Sequence, residues 1–334
     1  MSSVSIRPAS GAPYARILGI GAYRPARVVT NEEICRDIDS SDEWIRTRSG
    51  IETRRFAGPG ESVAEMSIAA AGKALSQSGV TADQVDCVLV ATVSHLKQTP
   101  AVATEIAERL GTRKAAALDI SAACAGFCYG VALANDMVRG GSARHVVVVG
   151  VERLSDITDR HDRGTAFLFG DGAGAVVVGP SDEPGIGPVV WGSDGAQSDA
   201  IDTDDWRDVR DDPELEWSTL RMAGQQVFRW AAFQMVPVAQ EALARAGVAA
   251  EDLDAFIPHQ ANMRITDAMI RALKLPAHVP VARDIAETGN TSAASVPLAM
   301  DRMLETGEAP SGGTALLIGF GAGLAWAAQV VRLP

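Results

Sequence analysis

Four short runs of mostly β-branched residues constrain the fold most: "DCVLVATVS" (86–94), "RHVVVVGVE" (144–152), "GAVVVGP" (174–180) and "TALLIGF" (314–320). Each is apolar almost throughout rather than alternately, as in strands covered on both faces. Helical periodicity fills the intervals at 62–79, 101–111, 223–247 and 261–275. Strands alternating with helices require a layered α/β fold with parallel strands at its centre. The acidic, turn-rich stretch 192–218 departs from this pattern and reads as a surface excursion, either ordered or in part disordered.

A faint internal repeat sharpens the picture. In the first half "DCVLVAT" is followed by "ISAACAGFCYGVALANDMVRGG" and "ARHVVVVGV"; in the second, "LDAFIPH" is followed by "TGNTSAASVPLAMDRMLETG" and "TALLIGFG". Each copy runs strand, loop into a small-residue helix, strand. Two copies of one unit would set Cys124 and Asn290 at matching corners and let helix starts from both halves converge on one site.

Charge and terminal composition narrow the function classes. A net charge of −12 leaves a nucleic-acid partner only a local basic patch to use, and none is expected. The segment "MSSVSIRPASGAPY" lacks the apolar core of a secretory signal and reads as a mobile arm. The apolar tail 315–328 is too short to span a bilayer. A cytoplasmic protein without membrane attachment is expected, with Cys35, Cys87, Cys124 and Cys128 as thiols.

Two of these cysteines lie in "DISAACAGFCYG" (119–130). Zinc needs about four Cys or His ligands in close pairs, and this segment holds no histidine, so no metal is expected. Core packing suits Cys128, one turn into the helix between Phe127 and Tyr129. Cys124 instead sits where strand gives way to helix, and free backbone N–H groups there favour a thiolate. Position therefore favours Cys124 as a nucleophile.

A cysteine nucleophile needs a proton-handling partner and oxyanion donors. His95, His145, His161 and His278 lack a suggestive setting, whereas His259 in "FIPHQAN" follows an apolar strand at the carboxyl edge of a sheet. Asn290 lies in the glycine-bearing loop "ETGNTSAAS", where a helix cap is the plain alternative. "FGDGAGAV" (169–176) leads into a strand, not a helix, so it lacks the context of a dinucleotide loop. "IGFGAGLAWAAQ" (318–329) offers backbone N–H groups suited to an oxyanion.

Taken together, "DISAACAGF", "PHQANMRI" and "GNTSAASVP" resemble the β-ketoacyl-acyl-carrier-protein synthase III family of condensing enzymes. "GIGAYRPARVVTNEEI", "SSDEWIRTRSGI", "RGTAFLFGDGAGAV" and "GFGAGLAW" extend the likeness from about Ala15 to Leu333. The resemblance implies a thiolase-like fold: two pseudo-repeated α/β halves in a five-layer αβαβα arrangement, usually a homodimer. The halves are expected at 14–183 and 184–334, after an arm at 1–13.

The resemblance also implies roles. Cys124 would take an acyl group from acyl-coenzyme A, a substrate and not a cofactor, and no cofactor is expected. His259 and Asn290 would hold the thioester of malonyl-acyl-carrier protein as it decarboxylates, and the N–H groups of Cys124 and Ala322 would form the oxyanion hole. Coenzyme A would meet Trp44, Arg48, Arg163 and Asn262. The carrier protein would meet Gln260, Ala261, Asn262, Met263 and Arg264, with Arg229 and Arg271, and with Lys274 nearby. Asp267, between the arginines, weakens that patch. Leu168, Phe169 and Thr99 would shape the acyl pocket, Thr99 from across a dimer; its small size admits a larger or branched starter.

Related chemistries fit less well. A degradative thiolase needs a second cysteine in the C-terminal glycine loop, and "GFGAGLAW" has none. Elongating synthases carry a second histidine where Asn290 stands, and plant-type polyketide synthases are longer. An inactive acyl-binding scaffold would have lost one of the three polar residues. The nearest alternative is a priming ketosynthase of a polyketide pathway, with the same Cys-His-Asn chemistry.

Overall fold

The computed structural model describes residues 6–215 and 217–334. Five strands build the first sheet: β1 (Tyr14–Tyr23), β2 (Cys87–Ala91), β3 (Ala116–Ile120), β4 (Val146–Arg153) and β5 (Asp171–Ser181). Their order is β1-β5-β4-β2-β3, with β2 parallel to β3 and β4, and β5 antiparallel to β4 and β1. Four strands build the second: β6 (Val190–Ser193), β7 (Ala255–Pro258), β8 (Thr314–Gly321) and β9 (Ala325–Arg332), in the order β7-β8-β9-β6. The pairing is the same: β7 and β8 parallel, then β8–β9 and β9–β6 antiparallel. A single parallel bridge from Phe256 to Val281 stands where β3 stands in the first sheet.

Helices α1 (Asp42–Ser49), α2 (Val63–Ser78), α3 (Val102–Leu110), α4 (Gly126–Gly140), α5 (Gly224–Ala246), α6 (Met263–Leu273) and α7 (Ser295–Thr306) complete the main frame. Ser62 caps α2 by accepting the Glu65 N–H, and Gly79 closes it in the left-handed region, matching the helix expected over 62–79. Met66 and Ala70 of α2 and Ile106 of α3 pack on the outer face of the first sheet against Val90 and Val149. Phe127 and Val131 of α4, with Val296 and Met300 of α7, fill the space between the sheets. Met235 of α5 and Met269 of α6 cover the far face of the second sheet against Phe256 and Leu316. The layers run α-β-α-β-α, the thiolase-like arrangement, and both faces of each sheet are buried as the strand runs required.

The repeat holds at the level of single residues. A 3-10 turn at Ala123–Ala125 precedes α4 and another at Ser292–Ala294 precedes α7. Ala123 (φ 43°) and Ser292 (φ 44°) both adopt the left-handed region without being glycine. A Cβ on Gly150 would strike the Ala293 carbonyl oxygen at 2.2 Å, and one on Gly319 would strike that of Cys124 at 2.8 Å. These reciprocal contacts pair Gly150 with Gly319 and Cys124 with Ala293. Cys124 was expected opposite Asn290; its counterpart is instead Ala293, and that of Asn290 is Ser121, three residues before the cysteine.

Two further segments complete the fold. Region 192–218 carries regular structure among the described residues: a 3-10 segment at Gly195–Ala200, a strand at Ile201–Thr203 paired with Leu220–Met222, and a helix at Trp206–Asp211 capped by Asp205. The arm expected at 1–13 lies in part outside the described residues; within them, Ala12 donates its N–H to Val138 O at the end of α4.

Candidate active site

Cys124 sits in the turn between β3 and α4, half-buried at the wall of a 1160 Å³ cavity that His259 and Asn290 also line. The end of β8 runs directly against it: a Cβ on Gly321 would come within 2.7 Å of Cys124 Sγ and 3.2 Å of its N. Only glycine leaves room for the thiol there. Burial pushes the thiol up to about 12, opposed by the Ser292 hydroxyl and by its own backbone N–H, with the Glu152 charge adding to the rise. The thiolate expected from the helix start is therefore not the resting form. Desolvation outweighs the terminus, and Cys124 rests as a thiol. Cys128 is fully buried in the layer between the sheets, as core packing requires.

His259 follows β7 directly, with its N–H on Ile318 O at 2.7 Å and only 2% of its surface exposed. Its Nδ1 lies 2.7 Å from Ser295 Oγ, and Phe320 stands edge-on to the ring at 5.3 Å. Burial lowers its pKa to about 3, so the imidazole is neutral at physiological pH. Asn290 is clamped to the segment opposite by its N–H on Leu168 O (2.8 Å) and by Gly170 N–H on its carbonyl (3.0 Å). Its Oδ1 accepts the Ser292 N–H at 2.8 Å. The oxygen thus caps the turn, and the amide nitrogen stays available as a donor.

The basic and aromatic residues gather at the cavity mouth. Trp44 and Arg48 of α1 line it with Arg163, whose guanidinium lies over the Trp44 ring at 4.8 Å; Arg48 lies at 5.9 Å. Arg229 and Arg264 join the lining, Arg264 over Phe228 at 5.1 Å. Leu168 and Phe169 line the cavity and are buried. Ala322 follows Gly321 on the same wall.

Other expected residues are placed differently. Gln260 is 1% exposed and spends its amide on Pro258 O, Ala282 O and the Ile285 N–H, so it cannot face a carrier protein. Asn262 lies on the cavity wall, but its Oδ1 caps α6 through the Arg264 N–H and its Nδ2 donates to Arg48 O, tying α6 to α1. Ala261 lines the cavity, while Met263 lies outside its lining, packed against the cluster of Ile45, Phe167 and Ile285. Arg271 and Lys274 are exposed beyond the mouth. Asp267, expected to blunt this patch, is held by Arg283 at 2.8 Å, and among the described residues no carboxylate pairs with Arg264 or Arg271. Thr99 is exposed on the loop after β2 and does not line this chain's cavity.

Several residues of the site escaped the sequence reading: Glu152, Ser292, Ser295, Phe320 and Gly321. Glu152 carried the clearest signal, a lone charge ending the apolar run "VVVVGVE". The strand Ile201–Thr203, in the stretch read as an excursion, also lines the cavity. Among the described residues no group of three or more His, Cys, Asp or Glu is placed to hold a metal ion, and no helix is long and apolar enough to cross a membrane.

Comparisons with known proteins point to one family. Residues 118–195 match the family described as 3-oxoacyl-[acyl-carrier-protein (ACP)] synthase III, and 243–333 match its C-terminal part. A β-ketoacyl-[acyl-carrier-protein] synthase III of Streptomyces glaucescens is 65% identical over 98% of this chain and 99% of its own. Among solved structures, the priming β-ketosynthase of the R1128 polyketide biosynthetic pathway superposes with a TM-score of 0.97 at 49% identity, covering 99% of both chains. The 3-oxoacyl-(acyl carrier protein) synthase III of Pseudomonas aeruginosa PAO1 gives 0.89 at 39% identity, covering 96% of this chain and 98% of that one. The chain belongs to the 3-oxoacyl-[acyl-carrier-protein] synthase III family of condensing enzymes.

Proposed function

We propose that this enzyme moves an acyl group from acyl-coenzyme A to Cys124 and condenses it with malonyl-acyl-carrier protein. The observation that carries this is one cavity holding a cysteine, a neutral buried imidazole and an amide donor. In the first half-reaction Cys124 loses its proton and its sulfur attacks the thioester carbonyl. The N–H groups of Cys124 and Ala322 hold the tetrahedral oxyanion; the carbon–sulfur bond to coenzyme A then breaks, and its thiolate takes up a proton. Trp44 and Arg163 would grip the adenine, Arg163 swinging off the ring it now covers, with Arg48 near the phosphates.

In the second half-reaction the malonyl carbon–carbon bond breaks, carbon dioxide leaves, and the electron pair passes into an enolate. Its oxygen needs donors that are not acids. With Ser295 O–H donating to Nδ1, His259 presents Nε2–H, and Asn290 presents Nδ2–H. The carbanion attacks the acyl-Cys124 carbonyl, the bond to Sγ breaks, and β-ketoacyl-carrier protein leaves. Initiation of fatty-acid synthesis is the favoured setting, and the likeness to a priming β-ketosynthase keeps a polyketide pathway as the second reading. Two halves at 14–183 and 184–334, a cytoplasmic location and a homodimer with Thr99 reaching the partner's pocket complete the proposal. Intact-mass measurement of acylation across acyl-coenzyme A donors, chased with malonyl-carrier protein, tests it. Acyl adducts on Cys124 that disappear in the chase are expected; acylation elsewhere, or adducts that persist, would overturn it.

A further inference from the structure

The reaction as derived leaves one fully buried carboxyl beside the nucleophile without a task. Glu152, near the end of β4, is 0% exposed. It accepts the Val93 N–H (3.1 Å), the Thr92 hydroxyl (3.2 Å) and the Ser94 hydroxyl (2.5 Å), and Ser94 Oγ in turn accepts the Arg153 N–H. Val93 lines the cavity, so the carboxyl pins a piece of its wall. The pseudo-twofold supplies a second, independent placement. Gly150 is the counterpart of Gly319, so Glu152 stands against the Ser292–Ala294 turn as Gly321 stands against Cys124.

Ser292 stands between the two groups. It is 3% exposed and lines the cavity, and among the described residues its Oγ has no hydrogen-bond partner. Its hydroxyl nevertheless lies near enough to lower both the Cys124 thiol and the Glu152 carboxyl. We propose that Glu152 and Ser292 are positioning residues acting on Cys124 from behind the pocket wall: the carboxyl holds Thr92–Ser94 in place, and together they govern when the thiol gives up its proton.

The sign of the effect follows from the groups that face Glu152. The segment after β2 offers only the Thr92 and Ser94 hydroxyls and the Val93 N–H, and the turn before α7 offers Ser292. From the turn before α4 comes Cys124, the titratable group facing it, while Arg153 next along the strand pairs with Asp156 at 3.1 Å. Desolvation pushes the Glu152 carboxyl up to about 7. Below that pH it is neutral and leaves Cys124 alone; above it, its charge opposes the thiolate. Ser292 acts the other way, as a donor to the thiolate.

The test is the pH dependence of Cys124 alkylation by iodoacetamide, followed by peptide mapping so that Cys35 is counted separately. In the wild-type protein the log rate rises with pH and bends to a shallower slope near pH 7. Glu152→Gln keeps the size and the acceptor oxygen; it should remove the bend and speed alkylation roughly threefold or more above pH 7, with little change below. Ser292→Ala should slow alkylation by a similar factor and move the bend to higher pH. A bend that survives Glu152→Gln, or an unaltered profile in Ser292→Ala, overturns the proposal. It rests on Cys124 as nucleophile, and that reading fails separately, if mapping finds no adduct on Cys124. Should Glu152→Gln not fold, Ser292→Ala decides alone.

Discussion

At the scale of single residues, the two half-reactions separate by mutation. Cys124→Ala should abolish both acylation and condensation. His259→Ala and Asn290→Ala should still acquire acyl groups by intact mass, while condensation loses ~2–4 kcal/mol of transition-state stabilisation at each site. Asn290→Ala condensing at the wild-type rate would remove that residue from the mechanism. The buried imidazole also writes itself into stability. Its pKa falls from 6.5 to about 3 on folding, so below pH 6.5 the unfolded chain binds a proton that the folded chain refuses. Stability from this group is whole above pH 6.5 and falls as pH drops toward 3. Between pH 7 and 5 wild type should lose about 2 kcal/mol more than His259→Gln in urea unfolding. Glu152, raised on folding, acts in the opposite sense over 4.5 to about 7, but equally in both proteins. No difference between the two would mean the imidazole is solvated. Residue order separated Cys124, at the cavity wall, from Cys128, in the core, because a strand-to-helix corner is visible in the sequence. The ionisation of Cys124 was not, because burial raises it, and the Ser292 hydroxyl and the Glu152 charge that modify it belong to residues distant in the chain.

At the scale of elements, the approach of β8 to the turn that carries Cys124 leaves no room for a side chain. Gly321→Ala places a methyl 2.7 Å from Cys124 Sγ and 3.2 Å from its backbone N. Acylation should fall below detection by intact mass; a Gly321→Ala protein that acylates normally would show that the turn can yield. Strands and helices were largely legible in the sequence because their signals are local. The apolar runs at 86–94 and 314–320 became β2 and β8, and Ser62 and Gly79 announced both ends of α2. The short strands Ile201–Thr203 and Leu220–Met222 were not, since each earns its place by pairing with the other across an acidic stretch. Local polarity there argued for exposure, and long-range pairing overrode it. Gln260 misled for the converse reason: a polar side chain next to His259 is buried among backbone groups that it satisfies.

At the scale of the whole molecule, a chain of net charge −12 opens its cavity beside Arg48, Arg163, Arg229 and Arg264. An acidic carrier protein would be steered to that mouth over an otherwise repelling surface. Arg264→Glu should reduce kcat/KM for malonyl-carrier protein by about tenfold at low salt and much less at high salt, leaving acylation by acyl-coenzyme A nearly unchanged. An equal loss for both substrates would place Arg264 in the pocket rather than at a docking surface. The duplicated architecture was legible as a faint repeat, yet its true register needed the paired glycines, Gly150 against Ala293 and Gly319 against Cys124. That register carries a lesson in division of labour. At equivalent corners one copy has Ser121 and Cys124, the other Asn290 and Ala293. On the roles proposed above, a chain made of two first halves would face two thiols across the pseudo-twofold and could load an acyl group it had no means to extend. Two second halves would decarboxylate malonyl groups with nothing waiting to receive them. On that reading, asymmetry inside a symmetric frame is what turns a pair of idle half-sites into a synthase.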